Sequence, residues 1–160
     1  MNNDLIFKLN IVLTPECIRS GVHCQSKKRA LEIISELAAE QIKIPYQKIF
    51  DAILTREKMG STGIGNGIAI PHGQLEKNMT KILGIFISLD QPIDFKSVDN
   101  QPVDLLFALL VPFDQCKDHL HTLSLLAKYL NNKEICDMLR SAKNDKELHL
   151  VLTQGKHKNI

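Results

Sequence analysis

The sequence predicts an α/β fold of the α+β kind: a single domain in which buried strands are flanked by α-helices on both faces. Two continuous apolar runs rich in branched side chains, Ile82 to Leu89 and Val103 to Val111, read as strands without a solvent face. Stretches with helical apolar spacing stand before and after them and supply the covering layers. At 160 residues the chain has the size of one domain, and such a chain buries roughly 70% of its unfolded surface without disulfides or a structural metal.

Each element follows in order. From Ser26, a side chain suited to an N-cap, Ala30, Leu31, Ile33, Ile34, Leu37 and Ala38 fall on one helical face, which should pack on the sheet. A second helix opens near Pro45 and buries Tyr46, Ile49, Phe50, Ile53 and Leu54. Arg56 and Lys58 close it, where cations complement the negative end of the helix dipole. Ile68-Ala69-Ile70 is a strand end stopped by Pro71, which holds the preceding residue in extended geometry. Asp90-Gln91-Pro92 and Asn100-Gln101-Pro102 are turn signals around the long strands. A third helix is expected from about Asp118 to Leu130, then a shorter helical pair, the last capped by Asn144 or Asp145.

Composition excludes several classes. Twenty Lys and Arg against 18 Asp and Glu leave a formal charge of +2, too balanced for a polycation that coats nucleic acid. Trp is absent and aromatics make up 5%, so platforms for stacking single-stranded bases are scarce. No nucleic-acid partner is expected. The first ten residues lack the pattern of a secretory signal, and no apolar stretch nears the roughly 20 residues of a membrane helix. A cytoplasmic chain without a membrane span is the expectation. Cys17, Cys24, Cys116 and Cys136 form no C-x-x-C pair and read as small, reduced, buried or half-buried thiols.

Five of the eight glycines lie between Gly60 and Gly73, and that segment carries the chemistry. Closely spaced glycines let successive backbone N–H groups converge on an anion. Gly60, Ser61, Thr62, Gly63 and Gly65 therefore form either a phosphate-binding loop or a plain surface turn, and the spacing alone leaves both open. His72 follows a rigid mount at Pro71, with Gly73 leaving space behind the ring. A neutral imidazole is a competent nucleophile, and phosphoryl transfer asks mainly for positioning and charge stabilisation. His72 as acceptor, Arg56 and the loop amides as charge-stabilising donors would form an adequate kit. His119 continues the stripe of Leu123, Leu126 and Leu130, whereas His121 lines up with Leu125 and Lys128. His119 is the more inward of the two, either meeting His72 or lying over apolar neighbours. Cys116, His119 and His121 have the composition of a metal site, yet ligands two apart on a helix diverge, so no metal and no cofactor is expected. Lys27-Lys28-Arg29 reads as a solvated face or as a receiver for an acidic partner.

The run Glu57, Ile64, Gly65 and Ile68-Ala69-Ile70-Pro71-His72-Gly73 resembles the active-site signature of the fructose and mannitol type of enzyme IIA domains of the bacterial phosphoenolpyruvate phosphotransferase system. Thr55 to Gly67, Val22 to Glu32 and Asn100 to Pro112 are similar in turn to its nitrogen-related branch. The resemblance implies a mixed β-sheet flanked by α-helices on both faces, in a domain over residues 12–155, with a lead-in over 1–11 and a polar tail over 156–160. It implies that His72 accepts a phosphoryl group on Nε2 from an HPr-like carrier, NPr in the nitrogen branch. By position, His119 becomes the second active-site histidine and Arg56 the balance for phosphohistidine charge. Regulatory partners are implied, among them sensor kinases or potassium transport components, with onward transfer to an enzyme IIB domain as the alternative. Met59 and Ile64 are expected at an apolar rim where partners dock.

Overall fold

The computed structural model describes residue 9 and residues 11–75, 81–113 and 116–154, the side chains of residues 116–119 excepted. Strand β1 (Ile11–Val12), a 3₁₀ turn (Pro15–Cys17) and β2 (Ile18–Val22) lead into helices α1 (Lys27–Gln41) and α2 (Tyr46–Glu57). Short strands β3 (Gly63–Gly65), β4 (Ile68–Ala69) and β5 (His72–Leu75) follow, then the long pair β6 (Ile82–Ile93) and β7 (Val103–Pro112). Helices α3 (Cys116–Leu130), α4 (Lys133–Ser141) and α5 (Asp145–Gln154) close the described chain.

The two apolar runs form the centre of the sheet. β6 pairs antiparallel with β7, Phe86 opposite Phe107, whose rings meet edge to face at 5.6 Å. β1 and β2 join the outer edge of β6 in parallel, while β4 and β5 run parallel to β7. The sheet is therefore mixed. Its side chains divide between two cores: Ile85, Ile87, Leu106 and Ala108 pack with α1 and α2, and Phe86, Leu105, Phe107 and Leu109 pack with α3, α4 and α5. Continuous hydrophobicity in β6 and β7 is what a strand between two helical layers requires.

Local chemistry sets the helix ends. The Ser26 hydroxyl accepts from the Arg29 amide at 3.1 Å, Asn132 caps α4 by accepting from Ile135 N at 3.1 Å, and Asn144 caps α5 by accepting from Glu147 N at 2.9 Å. Pro45 stands at the N-cap of α2, where its missing N–H costs nothing. In α2, Ile49, Phe50 and Ile53 are buried as expected, whereas Tyr46 and Leu54 are half-buried.

Three expectations need correction. Asp90-Gln91-Pro92 does not turn the chain: β6 runs through it, and the pairing with β7 slips between Ser88 and Ile93. Irregular pairing is where a proline fits in a strand, since no ladder donor is needed there. The reversal comes later, with Lys96 and Asn100 at positive φ. Second, Ile68-Ala69 is not only a strand end but half of a hairpin with β3, turned by Asn66 (φ 58) and Gly67 (φ 81). Asn-Gly is the dipeptide that such a turn selects, because both residues tolerate the left-handed region. Third, the chain after Pro71 is a strand, β5, so His72 stands inside the sheet opposite Leu109 of β7.

Candidate functional site

β5 lies against α2, and between them opens a cleft of about 830 Å³ whose lining includes His72, Gly73, Arg56 and Met59. The approach of helix to strand depends on Gly73. A Cβ there would lie 2.9 Å from the Ala52 carbonyl carbon and 3.0 Å from Ile53 N, so any side chain would push α2 off the strand. Gly73 thus sets the separation between the elements that carry His72 and Arg56.

His72 is buried, with 8% of its surface exposed, and its Nδ1 lies 2.9 Å from the Ile70 carbonyl oxygen. A carbonyl oxygen can only accept, so Nδ1 carries the proton in this contact and the lone pair of the neutral ring is on Nε2. Burial holds the imidazole below its ordinary pKa, with the Arg56 charge adding to the depression and the Ile70 bond and Glu57 opposing it. The ring is thereby kept in its neutral, nucleophilic form near pH 7.

Arg56, in the last turn of α2, lines the cleft, and its Nη1 donates to the Gly60 carbonyl at 2.8 Å. The loop after it folds around a carboxylate of the chain itself. Glu57 accepts from Thr62 N at 2.8 Å and from Thr62 Oγ1 at 2.7 Å, and the Gly60 amide donates to the Glu57 carbonyl at 3.2 Å. Gly63 N donates to Ser61 Oγ at 3.0 Å, and that hydroxyl donates to the Phe95 carbonyl at 2.8 Å. Of the predicted loop, then, the amides of Gly60, Thr62 and Gly63 are engaged inside the protein. Gly60, Ser61, Thr62, Gly63 and Gly65 are absent from the cleft lining, and of the glycine-rich segment's predicted site residues only His72 and Gly73 join it. Glycine spacing cannot distinguish an external anion from a nearby carboxylate, since both take the same backbone donors.

Lys27 is corrected as well. Its ammonium pairs with Glu57 at 3.0 Å and lies 4.6 Å from the centre of the Phe95 ring. It is not part of a solvated face; Lys28 and Arg29, both exposed and the latter paired to Glu32 and Glu36, fit that description. Ile64 packs half-buried against the α3–α5 core, whereas Met59, Phe113 and Leu120, exposed by 74, 61 and 71%, edge the cleft. Aromatic and apolar side chains so exposed signal contact surface, and Phe113 and Leu120 carried no motif that singled them out.

His119 falls in the first turns of α3, but its side chain, with that of Cys116, lies outside the described residues. His121 is exposed. Among the described residues no three His, Cys, Asp or Glu side chains are placed to hold a metal ion. Cys17, Cys24 and Cys136 are buried thiols, raised in pKa chiefly by burial.

A family model described as phosphoenolpyruvate-dependent sugar phosphotransferase system, EIIA 2, matches residues 11–155. The chain belongs to that EIIA family. A nitrogen regulatory protein of Escherichia coli (strain K12) is 65% identical over 152 residues, 95% of this chain and 93% of that one. The crystal structure of the nitrogen regulatory protein IIA-Ntr from Neisseria meningitidis superposes with a TM-score of 0.81 at 34% identity, covering 94% of this chain and all of that one. The same fold is seen in the Escherichia coli mannitol IIA enzyme in complex with phosphorylated IIB, at 20% identity and a TM-score of 0.74 over 91% of this chain and 99% of that one. In coarse terms this EIIA is a phosphoryl-transfer protein of nitrogen-regulatory kind. Among its described residues no helix is long and apolar enough to cross a membrane.

Proposed function

We propose that this EIIA takes a phosphoryl group on Nε2 of His72 from an HPr-like carrier, NPr in the nitrogen branch, and regulates partner proteins by its phosphorylation state. In the transfer, the phosphorus–nitrogen bond of the phosphorylated carrier breaks with its electron pair going back to the carrier. The Nε2 lone pair of His72 forms the new bond, and Nδ1 keeps its proton on the Ile70 carbonyl. Arg56 offsets the incoming negative charge, and His119 assists as a second histidine.

The observation that carries this reading is the Nδ1–H bond from His72 to Ile70 O at 2.9 Å, because it orients a buried neutral ring with its nucleophilic nitrogen opposite the anchored edge. The cleft adds Arg56 and an apolar rim suited to a protein partner. About two negative charges arriving beside that rim would change which surfaces can dock there. Sensor kinases and potassium transport components are the proposed targets.

Incubation with phosphoenolpyruvate, an enzyme I and an HPr-like carrier tests the proposal. An acid-labile phosphoryl label on the wild-type chain, absent from His72→Ala, is the expected result; label persisting in His72→Ala overturns it. Binding of a phosphorylated ligand without a covalent mass increase would instead mark a non-catalytic module. Onward passage of the label to an added IIB domain would mark a sugar-transport component, a reading favoured by the fold shared with the IIA–IIB mannitol complex.

A further inference from the structure

Lys27 and Glu57 lie outside the cleft lining, yet the sequence spends a buried ion pair on them. The Glu57 carboxylate is almost wholly inaccessible and receives the Lys27 ammonium at 3.0 Å, with side-chain exposures of 23% for Lys27 and 2% for Glu57. Two further donors, both from Thr62, complete its shell. Such a pair breaks about even against apolar replacements in stability, so its presence asks for another reason.

Connectivity supplies one. Glu57 is the last residue of α2 and directly follows Arg56. By gripping Thr62 it draws the loop back over the helix end, and that fold of the loop brings the Gly60 carbonyl to 2.8 Å from Arg56 Nη1. Gly60 has φ 145, a conformation that a side chain would resist. Lys27, reaching from the first turn of α1 and seated on Phe95 with its Nζ 3.4 Å from the Phe95 carbonyl, keeps the buried carboxylate compensated.

We infer that Lys27 and Glu57 are positioning residues for phosphoryl transfer: together they hold the Gly60–Thr62 loop so that the Gly60 carbonyl fixes the Arg56 guanidinium on the wall of the His72 cleft. The inference rests on the proposed acceptor role of His72 and concerns groups that never meet the phosphoryl group. It accounts for a basic N-terminus on α1, where the helix dipole disfavours cations: the charge is needed by the neighbouring helix end. A loop set one ångström away would carry the guanidinium with it, a displacement that costs transfer rate even though no reacting atom is touched.

The test is a double-mutant cycle on the full chain, reading the initial rate of label transfer from the phosphorylated carrier and the half-life of the phosphohistidine. Glu57→Gln and Lys27→Met are each expected to lower the rate by about tenfold or more, and Lys27→Arg to recover most of what Lys27→Met loses. In an Arg56→Ala background, Glu57→Gln and Lys27→Met should cost nothing further, because the group they position is gone. A general loss of packing would not produce that pattern. Losses that multiply with Arg56→Ala, or wild-type transfer in folded Glu57→Gln, overturn the inference. If Glu57→Gln does not fold, the Lys27→Met arm of the cycle decides by the same criterion. A wild-type chain that takes no label overturns the acceptor role itself, an outcome distinct from labelled wild type with multiplicative losses.

Discussion

The His72 ring and the Ile70 carbonyl, two residues apart along the chain, close a hydrogen bond of 2.9 Å across Pro71. The Pro71 carbonyl accepts from Leu109 N at 2.9 Å, so the segment is tied to β7 while its histidine is tied to itself.

The burial of this ring gives a pH dependence. Burial lowers the His72 pKa from its ordinary value of about 6.5. A group whose folded pKa lies below its unfolded one binds fewer protons when folded, so stability rises with pH through this window and is lost as pH falls from the unfolded value through the folded one. Among the described groups, Arg56 deepens the depression, and Glu57 and the Ile70 oxygen oppose it. The imidazole resonances of His72 should therefore titrate below the ordinary histidine value of about 6.5 in an NMR series. Unfolding free energy between pH 7 and pH 5 should fall less steeply in His72→Gln than in wild type. A His72 midpoint at or above that ordinary value would contradict the burial argument.

Gly73 gives a second prediction. Its α-carbon faces α2 so closely that a Cβ would stand 2.9 Å from backbone, and backbone cannot swing aside as a side-chain tip can. Gly73→Ala should cost about 1–3 kcal/mol in urea unfolding. It should also slow label uptake, because the shift separates the element carrying Arg56 from the one carrying His72. Unchanged stability would mean that α2 is not packed on β5 as described.

Much of this arrangement was legible in the sequence. β6 and β7 announced themselves because strands covered on both faces leave no polar alternation, and α1 and α5 because Ser26 and Asn144 cap them through side-chain oxygens. His72 stood out through the rigid Pro71 beside it. The loop was harder: its glycines are the same whether the amides await an external anion or fold onto Glu57, and only tertiary contact tells which. Lys27 was hidden for a similar reason, since its partner lies thirty positions along the chain and no spacing rule joins α1 to the end of α2. The β3–β4 hairpin, by contrast, carried a readable mark in Asn66-Gly67.

That hairpin has its own anchor, and so a third prediction. Arg140 on α4 pairs with both oxygens of Asp104, at distances from 2.8 to 3.2 Å, and donates to the Asn66 carbonyl at 2.9 Å. The pair is partly buried, so Arg140→Ala should destabilise by roughly 1–3 kcal/mol, leaving Asp104 and the turn carbonyl without their donor. Arg140 lies outside the cleft lining. Label uptake at His72 should be retained in the folded variant; a large loss of rate at unchanged stability would show that the hairpin, not only α2, positions the acceptor.

The last prediction concerns docking. Met59, Phe113 and Leu120 are exposed at the edge of the cleft, on the turn after α2, on the segment after β7 and on α3. Three separate elements thus converge on one apolar rim, and such a rim contributes to a protein contact through area removed from water. Replacing Met59 and Leu120 by Ser removes that area without touching His72 or Arg56. The double variant should raise the KM for the phosphorylated carrier by about tenfold, the equivalent of about 1.4 kcal/mol of lost binding. The half-life of phosphohistidine once formed should be unchanged, because hydrolysis involves no partner. A shortened half-life at unchanged KM would place these side chains over the phosphoryl group instead, shielding it from water.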